Sequence, residues 1–135
     1  LKEAEVMSLR THTCANRRLL GEPVSLRDDV EAVVELETVD EMAVDERGLV
    51  HGGFTFGLAD YSAMLAVNDP FVVLGKSESR FLAPVKVGDI MRARAEVTGR
   101  EGRRRDVDVE VTVRGTRVFK GVFTCYILDK HVFER

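Results

Sequence analysis

LVHGGFTFGLADYSAMLAV, residues 49–67, is the stretch whose reading decides the fold. Between Arg47 and Asp69 the only formally charged side chain at neutral pH is Asp60, in a chain where 32% of residues are charged. Such a gap marks a segment buried on nearly every face. It predicts a helix from Gly52 to Val67, entered through His51-Gly52-Gly53 and stopped at Asn68-Asp69-Pro70. Proline cannot continue a helix and biases the residue before it away from helical angles.

Outward from that helix the pattern changes to period two. RRDVDVEVTV (104–113) places Val107, Val109, Val111 and Val113 on one face, and IMRARAEVTG (90–99) sets Arg92, Arg94 and Glu96 opposite Ala93, Ala95 and Val97. RVFKGVFTCYIL (117–128) follows the turn at Arg114-Gly115-Thr116, and VVLGKSESRFLAP (72–84) is the least regular strand because Gly75 interrupts it. Upstream, residues 17–26 read as a first, irregular strand that Pro23 restricts to an edge or bulge. After the turn at 27–29, residues 30–38 form a second strand, and 39–48 form a loop. One helix and one sheet bury each other only if the sheet wraps around the helix. The class is therefore α+β, a curved antiparallel sheet around one long central helix, which is the hotdog fold. The four valines are expected to face Phe54, Leu58, Tyr61, Leu65 or their neighbours.

The 135 residues make one domain, 1–135, with an N-terminal segment 1–15 and a polar tail 129–135. Residues 1–10 carry an apolar spacing that suits a short amphipathic helix. A net charge of −3 argues against general nucleic-acid affinity, and no apolar run reaches the ~20 residues of a membrane span. The N-terminus shows no secretory pattern. Cys14 and Cys125 fit no redox or metal spacing, so they are expected to be reduced, in a cytoplasmic protein.

Two features of the helix suggest chemistry. At its N-terminus the first amides are unpaired and the macrodipole favours negative charge. Gly52 and Gly53 let a ligand come close, so a developing oxyanion would find donors there. A helix start packed tightly under a sheet would also need glycine. Asp60 is the second feature, since a carboxylate in an apolar helix is normally paired, protonated or functional. A structural aspartate, capping a backbone group or bridging subunits, is the competing reading. Gly52 and Asp60 are eight positions apart, hence ~12 Å along one helix. If both act on one bond they come from different copies of the chain, which predicts a two-fold dimer with composite sites. His51 either contacts an acyl group or stacks against the preceding loop. REGRRR (100–105), at a turn between two strands, is either a solvated turn or a phosphate clamp in which Arg104 would take part. No metal site is expected from His12, Cys14, His51, Cys125 and His131, which lack ligand spacing. No serine or cysteine nucleophile motif is present.

The stretch LVHGGFTFGLAD resembles the signature of the PaaI-type hotdog thioesterases, and FLAPVKVGD (81–89) is similar to the family's strand and turn after the helix. The resemblance, over roughly residues 16–128, implies hydrolysis of acyl-CoA thioesters by dimers or dimers of dimers, with no cofactor, since CoA is part of the substrate. It implies that the Gly52 amide polarises the carbonyl, that Asp60 of the partner subunit is general base or nucleophile, and that His51 supports the acyl-binding loop beside Gly53. Asp45 stands where some members carry asparagine, and cannot donate a hydrogen bond when ionised. Where others place a water-orienting serine, Ser77 or Ser79 would substitute. Phe54, Leu58, Phe81 and Leu82 would line the acyl tunnel. RVFKGVFTCYIL also resembles the malonyl-CoA-sensing effector domain of a bacterial lipid-synthesis repressor, which leaves a non-catalytic acyl-CoA-binding role as the alternative. A hydratase is a weaker third reading, because His51 and Asp60 do not reproduce its spacing.

Overall fold

The computed structural model describes residues 8–134. Its elements are a short helix α1 (Arg17–Leu20), strands β1 (Glu22–Arg27) and β2 (Glu31–Glu37), the long helix α2 (Gly52–Val67), and strands β3 (Val72–Phe81), β4 (Ile90–Glu101), β5 (Arg104–Val113) and β6 (Thr116–Ile127). The strands form one 6-stranded sheet in the order β1-β2-β4-β5-β6-β3, antiparallel throughout. It curves around α2, which packs chiefly on β4, β2 and β5. This is the hotdog fold that the sequence predicts.

The physical reasons are those of the pattern. Val107, Val109, Val111 and Val113 share one buried cluster with Leu58, Tyr61 and Leu65, and Phe54 packs against it half-buried. Each such valine is worth about 1.5–3 kcal/mol relative to an exposed one. At the end of α2, Asn68 takes the left-handed conformation (φ 54°, ψ 40°) and its amide donates to Met64 O. The Asn68 side chain is fully buried. It donates to Ser8 O at 3.1 Å and to Asp28 Oδ1 at 2.8 Å, and accepts from Arg10 N at 2.9 Å. One residue thus stops the helix and ties the N-terminal segment to the β1–β2 turn.

The irregular strand expected over 17–26 is corrected in its first half. Residues 17–20 make one helical turn, because the Asn16 side chain caps the Arg18 amide and Gly21 then turns the chain at φ 124°. A Cβ at Gly21 would stand 2.7 Å from Val34 Cγ1 and 2.9 Å from Leu58 Cδ1, so only glycine lets the backbone pass so close to the core. Strand β1 starts after it, on the sheet's outer edge, with a register shift between Pro23 and Ser25. The loop at 39–48 contains a 3-10 turn, Asp40–Met42. The helix expected over 1–10 falls largely outside the described residues. Among the described residues no helix is long and apolar enough to cross a membrane.

The opposite edge matters most for the site. Among the described residues strand β3, of 10 residues, pairs only with β6, with a bulge between Leu74 and Lys76, and its other side is a free hydrogen-bonding edge. No proline blunts it, as Pro23 blunts β1.

Candidate active site

The entry to α2 is held on both sides before the first helical residue. Val50 N donates to Val85 O at 2.8 Å and His51 N to Met42 O at 2.9 Å. His51 is the N-cap, extended at φ −61° and ψ 131°. Its Nδ1 accepts from Gly53 N at 2.7 Å, which leaves that nitrogen unprotonated and the Gly53 amide satisfied. A Cβ at Gly53 would meet the same ring nitrogen at 2.8 Å, so glycine is required for this cap. His51 thus orders the entry loop, and its ring packs edge-on to Phe54.

The Gly52 amide is different. It has no acceptor among the described residues, stands at the positive end of a 16-residue helix, and borders a groove of about 430 Å³ lined by Val50, Thr55, Phe81, Leu82 and Val85. Phe81 lies over it, since a Cβ at Gly52 would be 3.3 Å from Phe81 Cε2. Phe81 is itself 57% exposed and packs edge-on against Phe119. An N–H without a partner, in a groove with one apolar wall, can hold an oxyanion.

Asp60 lies further along α2. Gly53, Phe56, Gly57 and Asp60 are spaced i, i+3, i+4, i+7 and none is fully buried, whereas the last turns of the helix are buried on all sides. This open stripe runs beside the Phe119 and Phe123 rings, which Phe56 contacts. The Asp60 Oδ1 is buried with no hydrogen-bond partner, and burial raises its carboxyl to about 6. A carboxyl poised near neutrality suits proton transfer at physiological pH.

Cys125, a free thiol, points inward with Phe123 by strand alternation. It is buried, and burial first, then the charges of Asp60 and Asp106, raise its thiol to about 12. At neutral pH it is therefore no nucleophile, and its buried thiol feels the charge of Asp60.

The other predicted residues are divided. The Asp45 Oδ1 accepts from Arg47 N at 2.9 Å and Leu49 N at 3.2 Å, which shapes the turn leading to His51. Ser77 is half-buried on β3, with its Oγ 2.6 Å from Ser79 Oγ. Arg104 is not brought to Gly52 within one chain. It pairs with Tyr126, which pairs with Val73 near the start of β3, whereas Phe81 ends that strand. Eight residues of strand separate the two, on the order of 25 Å. Its partner is Asp106. Arg100 and Arg105 are both bound to Asp29.

Comparison with known proteins agrees with the fold. The profile of the Thioesterase superfamily matches residues 47–120, which include the helix entry, Asp60 and β3. The solved structure of PH1136, an uncharacterised protein of Pyrococcus horikoshii, superposes with a TM-score of 0.90 at 55% identity, over 93% of this chain and 95% of that one. A hypothetical thioesterase from Streptococcus pneumoniae TIGR4, solved with coenzyme A, does so with a TM-score of 0.73 at 25% identity, over 82% and 87%. The methylthioribose-1-phosphate isomerase of Aquifex aeolicus is 44% identical over 124 residues, 91% of this chain but 27% of that protein. The transcription factor FapR of a Thermoanaerobacter species is 25% identical over 132 residues, 98% of this chain and 66% of its own length. The chain thus spans about a quarter of the first and two thirds of the second. With the hotdog sheet and the His51–Asp60 stretch in place, the chain belongs to the Thioesterase superfamily.

Proposed function

We propose that this chain hydrolyses acyl-CoA thioesters at composite sites in a two-fold dimer, in the cytoplasm. The observation that carries the reading is one helix with two complementary, unsatisfied groups. These are the Gly52 amide, open to the groove, and the Asp60 carboxyl, whose buried oxygen has no partner. They stand ~12 Å apart along the helix axis, too far for one carbonyl to touch both. Two antiparallel copies of α2, set side by side with their open stripes facing, would bring Gly52 of one to Asp60 of the other. The free edge of β3 supports the same pairing.

In that site the thioester oxygen takes a hydrogen bond from the Gly52 amide. Asp60 of the partner subunit, as general base, removes a proton from water while the hydroxyl adds to the carbonyl carbon. The tetrahedral oxyanion collapses, the carbon–sulfur bond breaks, and the CoA thiolate takes the proton from Asp60. With Asp60 as nucleophile, its oxygen would add to the carbonyl carbon and expel the CoA thiolate, forming a mixed anhydride that water then cleaves. His51 and Asp45 hold the entry loop, Ser77 would orient the water, and Phe81 would bound the acyl chain. Similarity to a thioesterase solved with coenzyme A supports the substrate class. Release of free thiol from a panel of short, aromatic and long acyl-CoAs tests the reading. Asp60→Asn should lose at least two orders of magnitude in kcat, and an unchanged rate in that variant would end the proposal.

The second reading is binding without turnover. Similarity to a transcription factor over nearly the whole chain favours it. Tight retention of intact acyl-CoA, with no acid or thiol released, would select it over hydrolysis.

A further inference from the structure

Of the side chains lining the groove at Gly52, only that of Thr55 is polar, and the proposed hydrolysis gives it no part. Its neighbours there, among them Val50, Val85 and Val118, are buried and apolar. Thr55 is 3% exposed. Its Oγ1 donates to Met91 Sδ at 3.3 Å, and its lone pairs have no donor among the described residues. Met91 is itself fully buried on β4, and a thioether is a weak acceptor. A hydroxyl in an apolar interior costs free energy unless it finds a good partner. Valine has the same shape without that cost, so packing alone does not call for the oxygen.

Helix geometry says where the hydroxyl can act. Thr55 stands three residues beyond Gly52 in α2, a spacing that puts two residues on one face, ~5–6 Å apart at Cβ. The Gly52 N–H and the Thr55 hydroxyl are therefore two polar points, one turn apart, on the wall of an otherwise apolar groove. Threonine in a helix divides between two χ1 wells, so the hydroxyl can leave the sulfur for an oxygen in the groove while the backbone stays put. We infer that Thr55 selects acyl groups oxygenated at C3, of the 3-hydroxyacyl or 3-oxoacyl type, over plain acyl groups of the same length. The placing of the thioester rests on the hydrolysis reading above. With the thioester oxygen on the Gly52 amide, C3 is the atom that reaches the next turn. Two hydrogen bonds of ~2.9 Å, one from each point, then meet the two oxygens of the substrate. The hydroxyl donates to a 3-oxo group and can also accept from a 3-hydroxyl. A plain chain leaves it on Met91, so the preference is graded and not the near-absolute rejection of a site whose polar group is left bare.

Thiol release from (R)- and (S)-3-hydroxybutyryl-CoA, 3-oxobutyryl-CoA and butyryl-CoA tests this in the wild type, Thr55→Val and Thr55→Ser. Valine keeps the shape and drops the hydroxyl, whereas serine keeps the hydroxyl. In the wild type the best C3-oxygenated substrate should exceed butyryl-CoA in kcat/KM by about five- to tenfold, the worth of one neutral hydrogen bond. Thr55→Val should bring that ratio close to one, and Thr55→Ser should hold it. The ratio is taken within one protein, so a variant's loss of stability or of overall rate does not move it. A wild-type ratio near one, or a ratio that survives Thr55→Val, overturns the assignment even if hydrolysis stands. Ketone analogues of the same esters, with a methylene in place of the thioester sulfur, cannot be cleaved and give the matching ratio of Kd by calorimetry. A Kd ratio that depends on Thr55, in a protein that cleaves none of the esters, keeps the selection and removes the hydrolysis reading.

Discussion

Replacing Gly52 by proline would remove the proposed oxyanion donor while leaving the helix whole. Gly52 is the first residue of α2, where proline is well tolerated because its missing N–H has no helical acceptor. The residue before it, His51, already sits at φ −61° and ψ 131°, the extended region that a following proline demands. A new side-chain atom at position 52 would meet Phe81 Cε2 at 3.3 Å, so the half-free Phe81 ring must give by a few tenths of an ångström. Gly52→Ala makes the same contact and keeps the N–H, and is therefore the control. Losing one oxyanion-hole donor costs about 100- to 1,000-fold in kcat, roughly 3–4 kcal/mol. Gly52→Pro should fall below Gly52→Ala by that factor in a thiol-release assay, with both variants melting close to the wild type. A folded Gly52→Pro within about threefold of Gly52→Ala, far short of the loss expected for such a donor, would refute the assignment of this amide.

The raised carboxyl of Asp60 predicts opposite effects on activity and stability. As base it must be ionised, so kcat/KM should climb as pH rises through about 6 and level above it. Folded chains hold this proton between the ordinary value of 3.8 and about 6, where unfolded chains have released it. Stability therefore falls as pH rises across that window, by roughly 3 kcal/mol in all. Asp60→Asn should raise Tm near pH 8 more than near pH 5, and melting curves that shift equally at both would count against a buried, ionised carboxylate. Asn68→Gly keeps the left-handed turn but forfeits all the side-chain bonds to Ser8, Arg10 and Asp28. It should cost about 3 kcal/mol in urea unfolding, and a loss below about 1 kcal/mol, that of a single bond, would mean the N-terminal segment is anchored elsewhere. Under native conditions a disulfide-exchange reagent should titrate the exposed Cys14 and spare the buried Cys125. Rapid labelling of both would contradict the burial of Cys125 in the core.

The helix was legible because two independent signals agree on it. The charge gap gives its extent and Asn68-Asp69-Pro70 gives its end, and the structure returns Gly52–Val67. Strand β5 was equally plain, since four alternating valines leave no other face to bury. The turn at Arg17–Leu20 escaped because four residues are too few to display a helical period, although Asn16 and Gly21 bracket it as cap and stop. Which side of α2 stays open was not legible at all. The helix is apolar all round, so the open stripe at Phe56, Gly57 and Asp60 is set by the sheet order, which leaves β3 at an edge. Arg104 shows the same limit. Its charge was visible in REGRRR, but its distance from Gly52 is a property of the register that pairs it with Tyr126 and Val73.

Mixed dimers built from Asp60→Asn chains and Gly52→Pro chains put the composite site to the most direct test. Each parent should be inactive. After co-refolding, half of the dimers hold one of each chain and so regain one whole site, Gly52 from the first with Asp60 from the second. Recovery to about a quarter of the wild-type rate is predicted for statistical mixing of an isologous pair. A mixture that forms the mixed dimer and stays as inactive as its parents would contradict catalysis across the two-fold.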